Sequence, residues 1–391
     1  MEEKKESRID YGIVLSVLLL AIMSILTLYS TSYMMAGNSI RMTAMQVIWY
    51  AIGTIAVVII MQFDSEQLWK LAPYAYAVGI VLLILVLLFY DRPTYLSTGG
   101  KSWFKIGGLT FQPSELVKIA YIIMLARVVT EHNSDYVLHD VRSDVVLLGK
   151  IALVALPPMI LVQLQGDLGT TLVFISITLG ITLLSGVTWK ILAPLFGLGA
   201  GLAAGLLALV VYNRDFLMKL GFKTYQFKRV DSWLNPYHDT QDAAYQLIQS
   251  IKAIGSGKLL GKGIGVSEVY VPVRESDMIF ATIGENFGFV GSAALIFIYF
   301  MLVYQMIRVC FDTKNIFYTY ISTGVIMMIV FHVFENIGMS IGVLPLTGIP
   351  LPFISQGGSA LLGNMMGVGL VMSMRYNYKS SVFSNDDQQF K

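Results

Sequence analysis

The chain has 391 residues, 55% hydrophobic and only 13% charged against about 25% charged in a typical soluble domain, with a mean hydropathy of +0.67. A soluble core is excluded, because apolar stretches of about 20 residues, each able to cross roughly 30 Å of hydrocarbon, recur along the whole sequence. The net charge of +2 is uninformative as a total, and the single cysteine, Cys310, allows no internal disulfide.

The apolar runs predict an all-α polytopic membrane protein with spans near 11–33, 42–62, 71–90, 113–130, 147–164, 168–186, 190–212, 277–307, 315–342 and 358–374, about ten in all. The first run lacks a small-residue cleavage site and is followed by others, so it reads as a retained helix. Lys4, Lys5, Arg8, Arg127, Arg142, Lys190, Arg308, Lys314, Arg375 and Lys379 fall near alternate helix ends on one side, which places both termini in the cytoplasm. The two large non-membrane segments, 91–112 and 213–276, then lie on the far side of a single transmembrane domain covering 1–391.

The first of these leads into "KSWFKIGGLTFQPSELVK". Pro113 suits a first helical turn, and Glu115 faces the positive end of the helix dipole. Lys118 lies three residues on and about one turn inside the membrane, where an unpaired ammonium is costly. It is expected to pair with Glu115 and face the bundle interior. Trp103 is by default an interfacial anchor.

The second segment is basic, with Arg214, Lys219, Lys223, Lys228, Arg229, Lys252, Lys258, Lys262 and Arg274. Within it Ala244, Leu247, Ile248, Ile251 and Ile254 recur at helical spacing and stop at Gly255, which predicts a short interfacial helix. The following "GSGKLLGKGIG" is either a flexible turn or a phosphate cradle of bare N–H groups beside Lys258 and Lys262. It is not a nucleotide loop, since Ser256 and Gly263 stand where a Walker A motif needs Gly and Ser or Thr.

Arg274-Glu275-Ser276-Asp277 then opens the eighth span. Ser276 or Asp277 is expected to cap that helix, and with Glu285 two turns deeper on the same helix Asp277 is expected to stand at the rim of a polar cleft. A carboxylate beneath a cationic loop suits proton abstraction from a substrate hydroxyl, or binding of a divalent cation, beside an anionic leaving group. The helix dipole and Arg274 are expected to lower the pKa of Asp277, and Glu275 to raise it. In the ninth span His332, Glu335, Asn336 and Ser340 share one side and read as interhelical hydrogen-bonding groups. The Pro- and Gly-rich "GVLPLTGIPLPFISQGGSA" that follows is tolerated at membrane depth only where it is buried or lines a polar cavity.

Four blocks, "GGKSWFKIGGLTFQPSELVKIA", "YQLIQSIKAIGSGKLLGKGIG", "VPVRESDMIFATIGENFGFVG" and "NIGMSIGVLPLTGIPLPFISQGGSALLGNMMGVGL", resemble the SEDS family of bacterial cell-wall proteins, in order and over nearly the whole chain. The resemblance implies ten transmembrane helices and a glycosyltransferase that polymerises lipid II into peptidoglycan strands. It also implies residence in the bacterial cytoplasmic membrane and a class B penicillin-binding protein as partner, alongside other elongation-complex membrane proteins. Neither nucleic acid nor nucleotide is implied. Asp277 matches the family's essential aspartate, Trp103 its outer-loop tryptophan, and Glu115 and Lys118 its Glu-x-x-Lys pair. Ser355, Gly357, Gly358 and Ser359 match a Ser-Tyr-Gly-Gly-Ser motif in which Gln356 replaces tyrosine. Gly166 in "QGDLGT" stands where the family usually has proline. Short tails favour the elongation branch over the division branch.

On that reading the 4-hydroxyl of an acceptor N-acetylglucosamine attacks C1 of a donor N-acetylmuramic acid and displaces undecaprenyl pyrophosphate with inversion. Asp277 is the candidate base or, alternatively, a ligand to Mg²⁺ or Mn²⁺. Lys105, Lys118, Lys258 and Lys262, with Arg229, are candidates for the pyrophosphate, and Ser355 for substrate contact. A lipid II flippase is the rival reading, weakened by the lack of a clear inverted repeat with paired broken helices.

Overall fold

The computed structural model describes residues 8–34, 40–107, 109–136, 140–219, 224–237 and 242–381. The chain is helical almost throughout: α1 (Tyr11–Met34), α2 (Arg41–Met61), α3 (Ser65–Leu88), the short α4 (Arg92–Thr98), α5 (Pro113–Asp135), α6 (Val141–Leu164), α7 (Leu168–Leu184), α8 (Trp189–Tyr212), α9 (Arg214–Lys219), α10 (Thr224–Leu234), α11 (Asp242–Ser256), α12 (Ile279–Thr313), α13 (Ile316–Ser340) and α14 (Gly358–Ser381). Among the described residues, α1, α2, α3, α6, α8, α12 and α13 are long and apolar enough to cross a membrane. Of the other predicted spans, α7 is an apolar helix of 17 residues, and α5 and α14, with 23 and 24 residues, carry more polar side chains.

Helices α3 and α6 begin six residues before the apolar stretches that announce them, because the polar caps Asp64 and Asp140 set their starts; Asp167 and Asn315 likewise accept backbone N–H groups at the starts of α7 and α13, where the sequence already places them. The apolar run marks the hydrocarbon crossing; the helix continues to its cap. A two-stranded hairpin, β1 (Phe104–Ile106) with β2 (Leu109–Phe111), was not expected. Its three-residue strands are too short to show a period, and Gly107, at φ 58°, makes the turn.

Helix α5 is the central post, packed against α3, α6, α7, α13 and α14. Helix α1 packs on α12, and α2 on α14. By contrast α8 buries only Leu192 and Val210. Helix α11 forms where its periodicity predicts and turns Ala244, Leu247 and Ile248 inward, packing on α12 and α13.

Helix α12 is broken at Gly288, whose φ of 62° and ψ of −159° are non-helical. The glycine-rich segment before it stitches the break. Lys262 and Gly263 donate their N–H groups to the carbonyls of Glu285 and Asn286 at 3.0 and 3.1 Å, while Phe289 and Val290 donate to the carbonyls of Lys258 and Leu259 at 2.9 and 3.1 Å. A Cβ at Gly257 would collide with the Gly284 carbonyl, and one at Gly261 with the Asn286 carbonyl. The phosphate-cradle reading of "GSGKLLGKGIG" is therefore corrected. Its glycines permit backbone contact, and the N–H groups of Lys262 and Gly263 are bonded to the helix.

Candidate active site

The turn 272–278 carries the predicted acid into the start of α12. Arg274, two residues past Pro272, swings back into the protein: Nη2 lies 3.1 Å from Glu285 Oε2 and donates to the Val269 carbonyl, while Nη1 donates to Ser267 Oγ at 2.8 Å. Glu285 is fully buried and also accepts the N–H groups of Glu268 and Val269 at 2.9 and 3.2 Å, with Lys262 Nζ 3.5 Å away. Glu285 thus anchors the preceding loop.

Asp277 is thereby separated in role from Glu285. The cap of α12 is Met278, without a side-chain hydrogen bond, so neither Ser276 nor Asp277 caps the helix as expected. Asp277 Oδ1 instead accepts from Ser276 Oγ at 3.0 Å. The Pro- and Gly-rich segment 342–357 holds the turn from the other side. Asn336 Nδ2 donates to the carbonyls of both Asp277 and Ile349 at 2.8 Å, Ser355 Oγ donates to the Ser276 carbonyl at 2.6 Å, and Gln356 N donates to the Glu275 carbonyl at 2.9 Å. Gly348 lies so near that a Cβ there would sit 3.2 Å from Asp277 Oδ2.

The Asp277 carboxyl is pushed up to about 6, first by desolvation and further by Glu275 and Asp167, against the lowering effects of the Ser276 hydrogen bond and Arg229. This corrects the expected depression. Arg274 is engaged by Glu285, and α12 does not begin at Asp277, so the dipole and the neighbouring cation do not dominate.

Deeper in the bundle, Glu115 and Lys118 pair as predicted, with Nζ 2.9 Å from Oε2 and both side chains almost completely buried. Lys118 Nζ also lies 3.2 Å from His332 Nε2 on α13, the interhelical contact expected of that histidine. Glu335 Oε1 accepts from Thr347 Oγ1 at 2.8 Å, and the Thr347 carbonyl accepts from Arg229 at 3.2 Å. Arg229, Thr347, Gly348 and Asp277 are thus brought together.

The remaining candidates lie elsewhere or are already bonded. Lys105 is exposed on β1 and lines a separate depression of about 330 Å³ with Phe89, Tyr90, Asp91, Arg92 and Phe104. Half-buried Trp103 accepts the Asp91 N–H on its carbonyl at 2.9 Å. Exposed Lys258 lines an apolar groove of about 720 Å³ along α12. Lys262 pairs with Glu268 at 2.6 Å. Ser355 is buried, donating to Ser276 and accepting from the Leu351 N–H at 2.8 Å, so its hydroxyl positions the turn. Asp167 is a residue the sequence reading passed over. It caps α7, takes a 2.7 Å hydrogen bond from Gln112, and acts electrostatically on Asp277. Its signal was the Asp-x-x-Thr spacing of a helix cap in "QGDLGT". Among the described residues no three His, Cys, Asp or Glu side chains converge as a metal site, so Asp277 has no set of fellow ligands.

The family model described as cell cycle protein, for FtsW, RodA and SpoVE, matches residues 11–380. The chain is 34% identical to the peptidoglycan glycosyltransferase MrdB of Escherichia coli K12, over 95% of this chain and 94% of that one. It is 30% identical to stage V sporulation protein E of Bacillus subtilis, over 96% of this chain and all of that one. Among solved structures, a chain of a peptidoglycan synthase complex that coordinates polymerization and crosslinking matches with a TM-score of 0.74 at 26% identity, covering 95% of this chain and 98% of that one. The rod shape determining protein RodA of Thermus thermophilus matches with a TM-score of 0.67 at 25% identity, covering 94% and 97%.

Proposed function

This chain belongs to the FtsW, RodA and SpoVE family, and from that premise we propose that it is a peptidoglycan glycosyltransferase that polymerises lipid II in the bacterial cytoplasmic membrane. It acts as one multi-pass domain with both termini in the cytoplasm and the segments 91–112 and 213–276 outside. The higher identity to MrdB than to the FtsW relatives supports a role in elongation and cell shape. The relatives named for an activity are glycosyltransferases, which disfavours the flippase reading.

The observation that carries the mechanism is Asp277, held between Asn336 of α13 and Gly348 of the segment 342–357 with its carboxyl raised to about 6. At neutral pH it is ionised yet more basic than an ordinary aspartate, the combination a general base needs. The acceptor 4-hydroxyl gives its proton to Asp277 as its oxygen bonds to C1 of the donor sugar, and the C1–oxygen bond breaks toward the pyrophosphate. Arg229, which acts electrostatically on Asp277, and the buried Lys118 of the Glu-x-x-Lys pair are the candidate cations for that leaving group. A Mg²⁺ or Mn²⁺ ion at Asp277 would draw most of its ligands from water and pyrophosphate, given the donors present.

The partner is a class B penicillin-binding protein with a single membrane span. The apolar groove along α12 and its continuation between α12 and α13, about 720 and 380 Å³, offer that span a seat. Other elongation-complex membrane proteins join the assembly. Incubating the purified protein with lipid II, alone and with the partner, tests the proposal: glycan strands are expected, and their absence in both mixtures would overturn it.

A further inference from the structure

His332 is buried on α13, and its two ring nitrogens have different partners. Nδ1 lies 2.6 Å from the Met328 carbonyl, one turn back on the same helix, and a carbonyl oxygen can only accept. Nδ1 therefore carries the proton. A neutral ring in this tautomer leaves Nε2 with a lone pair, and that lone pair faces Lys118 Nζ at 3.2 Å. The ammonium can only donate, so the two groups are compatible in one arrangement: neutral histidine, charged lysine.

Lys118 has three N–H donors. One goes to Glu115 on its own helix and one to His332 on α13. Two acceptors on two helices fix both the position of Nζ and the direction of its third N–H, whereas Glu115 alone would let the flexible stem rotate. We infer that His332 is a positioning residue, which aims the third Lys118 N–H at an oxyanion of the pyrophosphate leaving group. This inference rests on the lipid II polymerase reading for the identity of that anion. Histidine is suited to the task because Met328 fixes its tautomer, whereas a second carboxylate in its place would leave the Glu115–Lys118 pair with a net negative charge.

The test compares His332→Gln, which keeps a side-chain oxygen acceptor, with His332→Leu, which has none. Binding of undecaprenyl pyrophosphate to the purified full-length protein and the kcat and KM for lipid II are measured, with thermal melts as a folding control. His332→Leu is expected to bind the pyrophosphate about tenfold more weakly and to lose about tenfold in kcat with little change in KM. His332→Gln is expected to stay within about threefold of wild type in both. Wild-type binding by His332→Leu, or equal losses in both variants matched by equal falls in melting temperature, would overturn the positioning role. If the wild type binds pyrophosphate but makes no glycan, the polymerase reading fails, while the binding comparison still decides His332.

Discussion

Arg274 gives its guanidinium to Glu285, with Nη2 3.1 Å from Oε2, and not to Asp277 three residues along. That one pairing separates a structural carboxylate from a chemical one. Glu285 is compensated by Arg274 and the nearby Lys262, while Asp277 is left in a poorly solvated turn beside Glu275.

The first consequence is a pH-dependent stability difference. The Asp277 carboxyl is raised to about 6 from an ordinary value of 3.8, so the folded state binds its proton more tightly than the unfolded chain. Its contribution to stability is fully present below about pH 4 and is lost as pH rises through about 6. Asp277→Asn removes the ionisable group, so at pH 7.5 the variant should melt above wild type, and the gap should close as pH falls from 6 toward 4. Melting curves of the detergent-solubilised proteins across pH 4–8 check this; a constant gap contradicts it.

Glu285→Gln should behave in the opposite way. It leaves Arg274 buried without its anion, a loss of roughly 3–5 kcal/mol. Pairing Arg274→Met with Glu285→Leu should recover only part of that, because the N–H groups of Glu268 and Val269 lose their acceptor. Chemical denaturation or melting of the three proteins measures it.

The stitched break in α12 predicts a steric requirement. Gly257→Ala and Gly261→Ala should prevent accumulation of folded protein, since each Cβ meets a backbone carbonyl. Gly199→Ala on α8, where a Cβ meets nothing within 4 Å, should be neutral. Size-exclusion profiles of the three variants, expressed side by side, give the result.

Much of this architecture was legible in the sequence. Hydropathy announces the long apolar helices, the Ala244 to Ile254 periodicity gives α11, and the three-residue spacing of Glu115 and Lys118 gives their pair. What was not legible depends on who meets whom across the chain. Arg274 and Glu285 are eleven residues apart, and the choice of Glu285 over Asp277 follows from the loop 257–269 folding onto the break in α12. Likewise the glycines of "GSGKLLGKGIG" serve turns, phosphate cradles and close backbone contacts equally well, and only the neighbouring carbonyls decide. Asp167 reads locally as a helix cap, and its second influence, on Asp277, is tertiary.

The groove along α12 predicts where the partner sits. Ser292 Oγ is buried without a hydrogen-bond partner and lines the groove with Ala293, Ile296 and Phe297. Small residues allow close helix approach in lipid, where apolar burial gives no net drive. Ser292→Leu should therefore weaken co-purification of the penicillin-binding protein and its stimulation of polymerisation, with basal polymerisation retained. Unchanged co-purification would move the interface elsewhere.

The central claim is that Asp277 takes the proton from the attacking hydroxyl. Its most direct test is the rate of lipid II polymerisation by purified wild type and Asp277→Asn as a function of pH, with folding confirmed by melting. The account predicts that wild-type activity rises with pH through an inflection near 6, and that Asp277→Asn falls by about 10² or more and loses that inflection. Normal glycan synthesis by a well-folded Asp277→Asn protein would contradict it.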